Sequence, residues 1–348
     1  MKKLLALSLI FLFAAGMLSA QPGITEPIPS NKPSKYQKEQ IKRKYGMFLH
    51  FGINTFHDME WTDGTLPASS YKPTRIDADQ WIRTAKEAGM KYVILITKHH
   101  DGFCLWDSKY TDYDVASSGN PTNVVEAVAK ACKKYNIRLG LYYSLWDRHE
   151  NANVKDTALD RAYDTYMVNQ LNELLDITNR YTKVVEFWFD GSWVKPNYRW
   201  PLSSIYSTIK KKAPQAQVGV NWSIGLPSNP DYHAVYPKDQ KEGYPIRYFP
   251  SDFRLGDPEL PVTPDPKLFA HGKSTYYMPW ESTVCLSGCW FYNSKDTTYK
   301  TTDQLVELYK TATAQDNILI LNTPPNTEGR LRDRDVELLK ELRKRIKE

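Results

Sequence analysis

Apolar positions along this chain follow two periods that take turns, one suited to strands and one to helices. Residues 46–54 read as a strand, and residues 78–88 carry the i, i+3, i+4 spacing of a helix closed by Gly89. Residues 92–100 form a near-continuous apolar run, the pattern of a strand buried on both faces. The alternation continues with a helix over 124–135, a strand over 138–144, a helix over 156–181, a strand over 184–190, a helix over 203–212 and a strand over 217–223. Strand-helix units in this order predict an α/β fold, a (β/α)8-type, TIM-like barrel, with a doubly wound open sheet as the alternative. Between Gly225 and Phe291 the pattern gives way to a stretch rich in Pro, Tyr and Asp, so the later strands of the barrel are expected to be irregular. Order returns with a helix over 302–315, a strand over 317–322 and a terminal helix from Arg332, without internal repeats or a separate C-terminal module.

The ends carry other signals. Lys2 and Lys3 precede an apolar run from Leu4 to Leu18 and the small pair Ser19-Ala20, the order of a secretory signal peptide over residues 1–20. That run is shorter than the ~20 residues a bilayer span needs. No cysteine sits near the expected cut, so the mature chain is expected to be exported, periplasmic or secreted from a bacterium, and free of the membrane after cleavage. Proline-rich residues 21–35 read as a linker, and residues 36–348 as a single barrel domain.

Composition narrows the class. The chain holds 10 Trp and 23 Tyr against 12 Phe, side chains that pair an apolar plate with a polar edge and so suit stacking on sugar rings as well as filling a core. The net charge of +6 includes the two leading lysines and the basic last helix, and no basic stripe is interleaved with aromatics, which argues against a nucleic-acid partner. Four cysteines are too few for a disulfide scaffold in 348 residues, and whether Cys285 and Cys289 are bridged stays open.

In a barrel of this type the chemistry sits at the C-terminal ends of the strands, so polar residues there are the candidates. They are His50 and Asn54, His99-His100-Asp101, Tyr142-Tyr143-Ser144, Trp188-Phe189-Asp190 and Asn221-Trp222. Asp190 closes an apolar strand and precedes a glycine, a placement that lets a carboxylate attack an anomeric carbon or, equally, fix a loop. Glu186 shares its side of the strand at a deeper level. His99 and His100 invite a metal reading, but neighbours on a strand point to opposite faces, and neither H-x-H on the first strand nor H-E-x-x-H occurs; sugar hydroxyls are the better fit and no metal is expected. A retaining glycosidase needs a second carboxyl group, for which Glu242 and Glu281 are the candidates, Glu281 beside a tryptophan whose low polarity would raise its pKa.

Together these segments resemble the α-L-fucosidases of glycoside hydrolase family 29. The matching stretches are residues 47–56, Glu60-Trp61, 71–74, 85–92, 97–107, 139–144, 186–191 and 319–325, in the family's order. The resemblance implies an exo-acting enzyme that releases terminal L-fucose with retention through a covalent fucosyl-aspartate, with Asp190 as nucleophile. It further implies a fucose pocket of His50, Glu60, Trp61, His99, His100, Tyr143 and Trp188, and favours Glu281 over Glu242 as acid/base. The C-terminal β-sandwich common in the family is not expected here. No cofactor is implied, and the partner would be a fucosylated oligosaccharide or glycoconjugate; linkage and oligomeric state are not legible. A related exo-glycosidase for a fucose-like sugar and a non-catalytic glycan-binding barrel are the competing readings.

Overall fold

The computed structural model describes residues 24–150 and 161–347. The expected signal peptide and the start of the helix expected at residue 156 therefore lie outside the described residues.

The apolar runs become strands because both of their faces are covered. β1 (Tyr45–Leu49), β2 (Tyr92–Lys98), β3 (Arg138–Ser144), β4 (Val184–Asp190) and β5 (Gln217–Val220) alternate with α1 (Lys35–Arg43), α2 (Ala78–Glu87), α3 (Val124–Tyr135), α4 (Arg161–Thr178) and α5 (Leu202–Lys212). After β5 come two short antiparallel hairpins, β6 (Gly225–Leu226) with β7 (Asn229–Ala234) and β8 (Leu268–His271) with β9 (Ser274–Tyr277). The chain then returns to the main sheet through β10 (Glu281–Cys285), α6 (Thr302–Ala312), β11 (Ile318–Asn322) and α7 (Asp333–Arg345). The seven-stranded sheet is parallel throughout, in the order β10-β11-β1-β2-β3-β4-β5.

An open sheet would leave β5 and β10 as free edges. Here the extended segment 252–255 lies between them: Asp252 N donates to Val218 O at 2.6 Å, Arg254 N to Pro279 O at 2.9 Å, and Glu281 N to Arg254 O at 3.1 Å. The sheet is thus curled into a (β/α)8-type barrel whose remaining stave is irregular, and the doubly wound alternative is excluded. The interior is filled by Phe48, Tyr92, Ile94, Ile96, Tyr142, Trp188, Phe253, Leu255, Ile318 and Ile320. Gly219 makes room there, since a Cβ on it would stand 2.5 Å from the ring of Phe253. A larger apolar layer between strands and helices includes Trp81, Leu139, Leu171 and Leu339.

Local signals set the helix ends. Asp77 accepts from Gln80 N at 3.0 Å to start α2, and Asn123 accepts from Glu126 N at 2.9 Å to start α3. Part of the expected linker is docked rather than free, with Ser30 N donating to Thr275 O at 2.9 Å on the β8–β9 hairpin. Cys285 and Cys289 are both free thiols.

Candidate active site

Both ends of the barrel carry carboxylates, and they do different work. At the N-terminal end, α1 closes the floor: Arg43 pairs with Glu186 Oε2 at 2.9 Å and Gln40 donates to the same oxygen at 3.1 Å. Glu281 is the first residue of β10, fully buried beside Glu186, and accepts from Tyr92 OH at 2.9 Å. Burial first, and then the Glu186 charge, push Glu281 well above the usual carboxyl range, so it carries the proton that the two glutamates share. Four residues at ~3.3 Å each separate this level from the top of the strands, about 13 Å. The expectation for Glu281 as acid/base is corrected on that ground: a strand's first residue faces the wrong end of the barrel. Glu242 is corrected likewise, since its exposed carboxylate accepts from Lys267 N at 2.8 Å and Leu268 N at 2.7 Å at the base of the β8–β9 hairpin.

At the C-terminal end a cavity of about 240 Å³ is lined by His50, Trp61, His99, His100, Asp190, Trp193, Trp222, Asp257 and Trp290. Asp190, the last residue of β4, is buried and well held. Its Oδ2 accepts from Tyr142 OH at 2.7 Å, and its Oδ1 from Gly191 N at 2.9 Å and Asn221 Nδ2 at 3.0 Å. Burial raises its pKa to about 6 against the lowering pull of those three donors. Gly191 follows at φ 77°, and a Cβ there would stand 2.7 Å from Trp146 Cβ, so the chain can turn away from Asp190 only without a side chain.

The three histidines are neutral at ordinary pH because burial lowers each: His50 and His100 to about 3, and His99 well below its usual value. Their tautomers follow from their partners. Asn322 Nδ2 donates to Trp290 O at 2.8 Å, so its Oδ1 accepts from His50 Nδ1 at 2.7 Å and leaves Nε2 of His50 as an acceptor. Ser144 Oγ donates to Trp146 O at 2.5 Å and therefore accepts from His100 Nδ1 at 2.6 Å, which leaves the His100 Nε2 lone pair 3.6 Å from Asp190 Oδ2. His99 and His100 were expected on opposite faces, yet both line the cavity with ring centres 4.2 Å apart. The reason is that β2 ends at Lys98 with a register shift against β3, and the next residues turn, Gly102 N donating to His99 O at 3.1 Å. His99, His100 and Asp190 also bring three possible metal-ligand atoms within 4.8 Å of one another.

Other expected pocket residues are redistributed. Trp61 is half exposed at the rim, its ring edge-on to His100 at 5.3 Å. Glu60 acts one step back, accepting from Trp290 N at 2.9 Å and Phe291 N at 3.2 Å and so fixing the loop that carries Trp290. Trp188 lies beneath the cavity inside the barrel, stacked on Tyr142 at 5.4 Å. Tyr143 is corrected outright. Its hydroxyl accepts from Lys98 Nζ at 3.0 Å and donates to Gln170 at 2.7 Å, between barrel wall and helices, because Tyr142 is the inward neighbour on β3.

Sequence reasoning does not single out Trp193, Trp290 or Asp257, and takes Asn221 and Trp222 only as a strand end. A signal for Asp257 exists: Phe253 and Leu255 alternate inward like strand residues, and Gly256-Asp257-Pro258 ends the run. Asn221 joins the two halves of the site, since its Nδ2 donates to Asp257 Oδ1 as well as to Asp190 Oδ1, and its Oδ1 accepts from Trp222 N at 3.0 Å. Trp222 adopts a left-handed φ of 58°, a costly conformation for a bulky residue that places its ring at the cavity wall.

Comparison with known proteins bears on this arrangement. Residues 14–347 match the family model described as Alpha-L-fucosidase. Alpha-L-fucosidase 1 of Arabidopsis thaliana is 31% identical over 336 residues, which is 94% of this chain and 62% of that protein. A crystallised protein of Bacteroides thetaiotaomicron is 28% identical, with a TM-score of 0.74 over 92% of this chain and 70% of its own. A Ruminococcus gnavus family 29 fucosidase solved with fucose is 24% identical and shares the fold, with a TM-score of 0.71 over 92% of this chain and 69% of its own. This chain thus spans about 60% of the length of its plant relative.

Proposed function

We infer the activity from one premise, that this chain belongs to the α-L-fucosidase family of glycoside hydrolases. The reading is a retaining exo-α-L-fucosidase that hydrolyses terminal L-fucose from a fucosylated oligosaccharide or glycoconjugate. The observation that carries it is Asp190, a buried carboxylate at the mouth of the barrel, held by three donors beneath a cavity of neutral histidines and tryptophans.

The parts suit a 6-deoxy sugar. Neutral His50 and His100 each present an acceptor nitrogen to sugar hydroxyls, and the gap between His100 Nε2 and Asp190 Oδ2 is one a hydroxyl can bridge. Trp61, Trp193, Trp222 and Trp290 give apolar faces for the ring and its methyl group. Asp190 attacks the anomeric carbon as the glycosidic bond breaks, giving a fucosyl ester that water then hydrolyses with overall retention. No described helix is long and apolar enough to cross a membrane. Export by removal of residues 1–20 belongs to the same proposal.

The test is hydrolysis of 4-nitrophenyl α-L-fucoside by residues 21–348, beside Asp190→Ala and in EDTA. Turnover by the wild type alone, unchanged by EDTA, is the expected result. Turnover abolished by EDTA and restored by a divalent metal would transfer the role of His99, His100 and Asp190 to metal binding. A wild type that binds fucose but turns over neither the aryl fucoside nor fucosylated oligosaccharides would make the chain a glycan-binding barrel.

A further inference from the structure

Glu281 begins β10 at the barrel floor and Glu242 lies exposed at the base of the β8–β9 hairpin, so neither expected glutamate lines the cavity and another residue must supply the proton. Among the carboxylates near the cavity, Glu60 spends both oxygens on the amides of Trp290 and Phe291. Asp101 is similarly occupied, accepting from Phe103 N at 2.7 Å and Asn54 Nδ2 at 3.1 Å, and does not line the cavity. Of the described lining residues, the acidic ones are Asp190 and Asp257.

We propose that Asp257 is the general acid/base of the site, paired with Asp190 through Asn221. This rests on the fucosidase reading above. One amide nitrogen donates to an oxygen of each carboxyl group. Two hydrogen bonds of ~3 Å or less from a shared atom keep those oxygens no more than about 6 Å apart, compatible with the ~5–5.5 Å of retaining pairs and short of the ~6.5–9.5 Å that inverting enzymes need for an intervening water.

The charge balance of the pair fits the two roles. Burial and then the charge of Asp190 lift Asp257 to about 7, with Glu259 adding a smaller push and Asn221 pulling down. Three donors favour the charge on Asp190, so Asp257 is the member of the pair that holds the proton. In the first step the Asp257 proton passes to the glycosidic oxygen as that oxygen takes the electron pair of its bond to the anomeric carbon and Asp190 bonds to that carbon. In the second, the Asp257 carboxylate takes a proton from water as the water oxygen bonds to the same carbon and the ester to Asp190 breaks.

The experiment compares Asp257→Ala and the near-isosteric Asp257→Asn with wild type on 4-nitrophenyl α-L-fucoside and on a fucosyl disaccharide, with and without azide. The disaccharide leaving group needs protonation and nitrophenolate does not, so kcat/KM should fall about 10²–10⁴-fold on the disaccharide and less than about tenfold on the aryl substrate. Azide should restore aryl turnover and yield α-fucosyl azide, because it replaces water on the fucosyl-enzyme; Asp190→Ala with azide should yield the β anomer. Equal losses on both substrates with no azide product, in a variant that keeps the wild-type Tm, would overturn the role of Asp257 while β-azide from Asp190→Ala left the fucosidase reading standing. A wild type inert on both substrates would overturn both.

Discussion

The Tyr142 hydroxyl donates to Asp190 Oδ2 at 2.7 Å from the neighbouring strand, closer to that oxygen than His100 Nε2 at 3.6 Å. The contact exists because Tyr142 lies opposite Trp188 in the β3–β4 register, so both rings enter the barrel and the phenol reaches up one level to the carboxylate. It lowers the Asp190 pKa while burial raises it.

Tyr142→Phe should therefore shift the acid limb of the pH profile upward and lower kcat/KM by about 10- to 100-fold, in line with the ~1.5–3 kcal/mol of a hydrogen bond to a charged group. Tyr143→Phe should do the opposite. It breaks the Lys98–Tyr143–Gln170 chain outside the barrel, so stability should fall by ~1–3 kcal/mol with kcat/KM unchanged. Steady-state kinetics beside urea unfolding of both variants decides it; equal kinetic losses would return Tyr143 to the pocket.

Glu281→Gln should leave activity intact. Glu281 is the protonated member of its pair with Glu186, so a neutral amide keeps its charge state and volume and can still donate to Glu186. Glu281→Ala should destabilise by ~2–5 kcal/mol through a cavity and an unpaired Glu186. A Glu281→Gln variant with wild-type Tm but lost turnover of natural glycosides would contradict the placement of the acid/base at the barrel mouth.

The pH profile of kcat/KM should be a narrow bell. Asp190 must be ionised to attack and is raised to about 6, so activity is lost as pH falls through that value. Asp257 must be protonated and is held near 7, so activity is lost again as pH rises past it. His50 and His100, lowered to about 3, stay neutral across this range and add no limb. Asp257→Asn should remove the alkaline limb and keep the acid one, read from rates on the aryl fucoside.

The sequence by itself determined the barrel and the side chains that end its strands. Apolar runs covered on both faces, helix caps such as Asp77 and Asn123, and the polar tips at His50, His99-His100 and Asp190 are set by residues close in the chain, where a period of 2 or 3.6 speaks directly. Tertiary structure decided which neighbour of a pair faces inward and at which end of the barrel a carboxylate lies. Tyr142 rather than Tyr143 enters the site because of the β3–β4 register, and His99 joins His100 because β2 ends at Lys98, before either histidine. Glu281 falls to the floor because it begins a strand that the irregular stretch after Gly225 conceals. Asp190 meets Asp257 only because residues 252–255 close the barrel between β5 and β10 and bring both within reach of Asn221, a long-range pairing with no period along the chain to announce it.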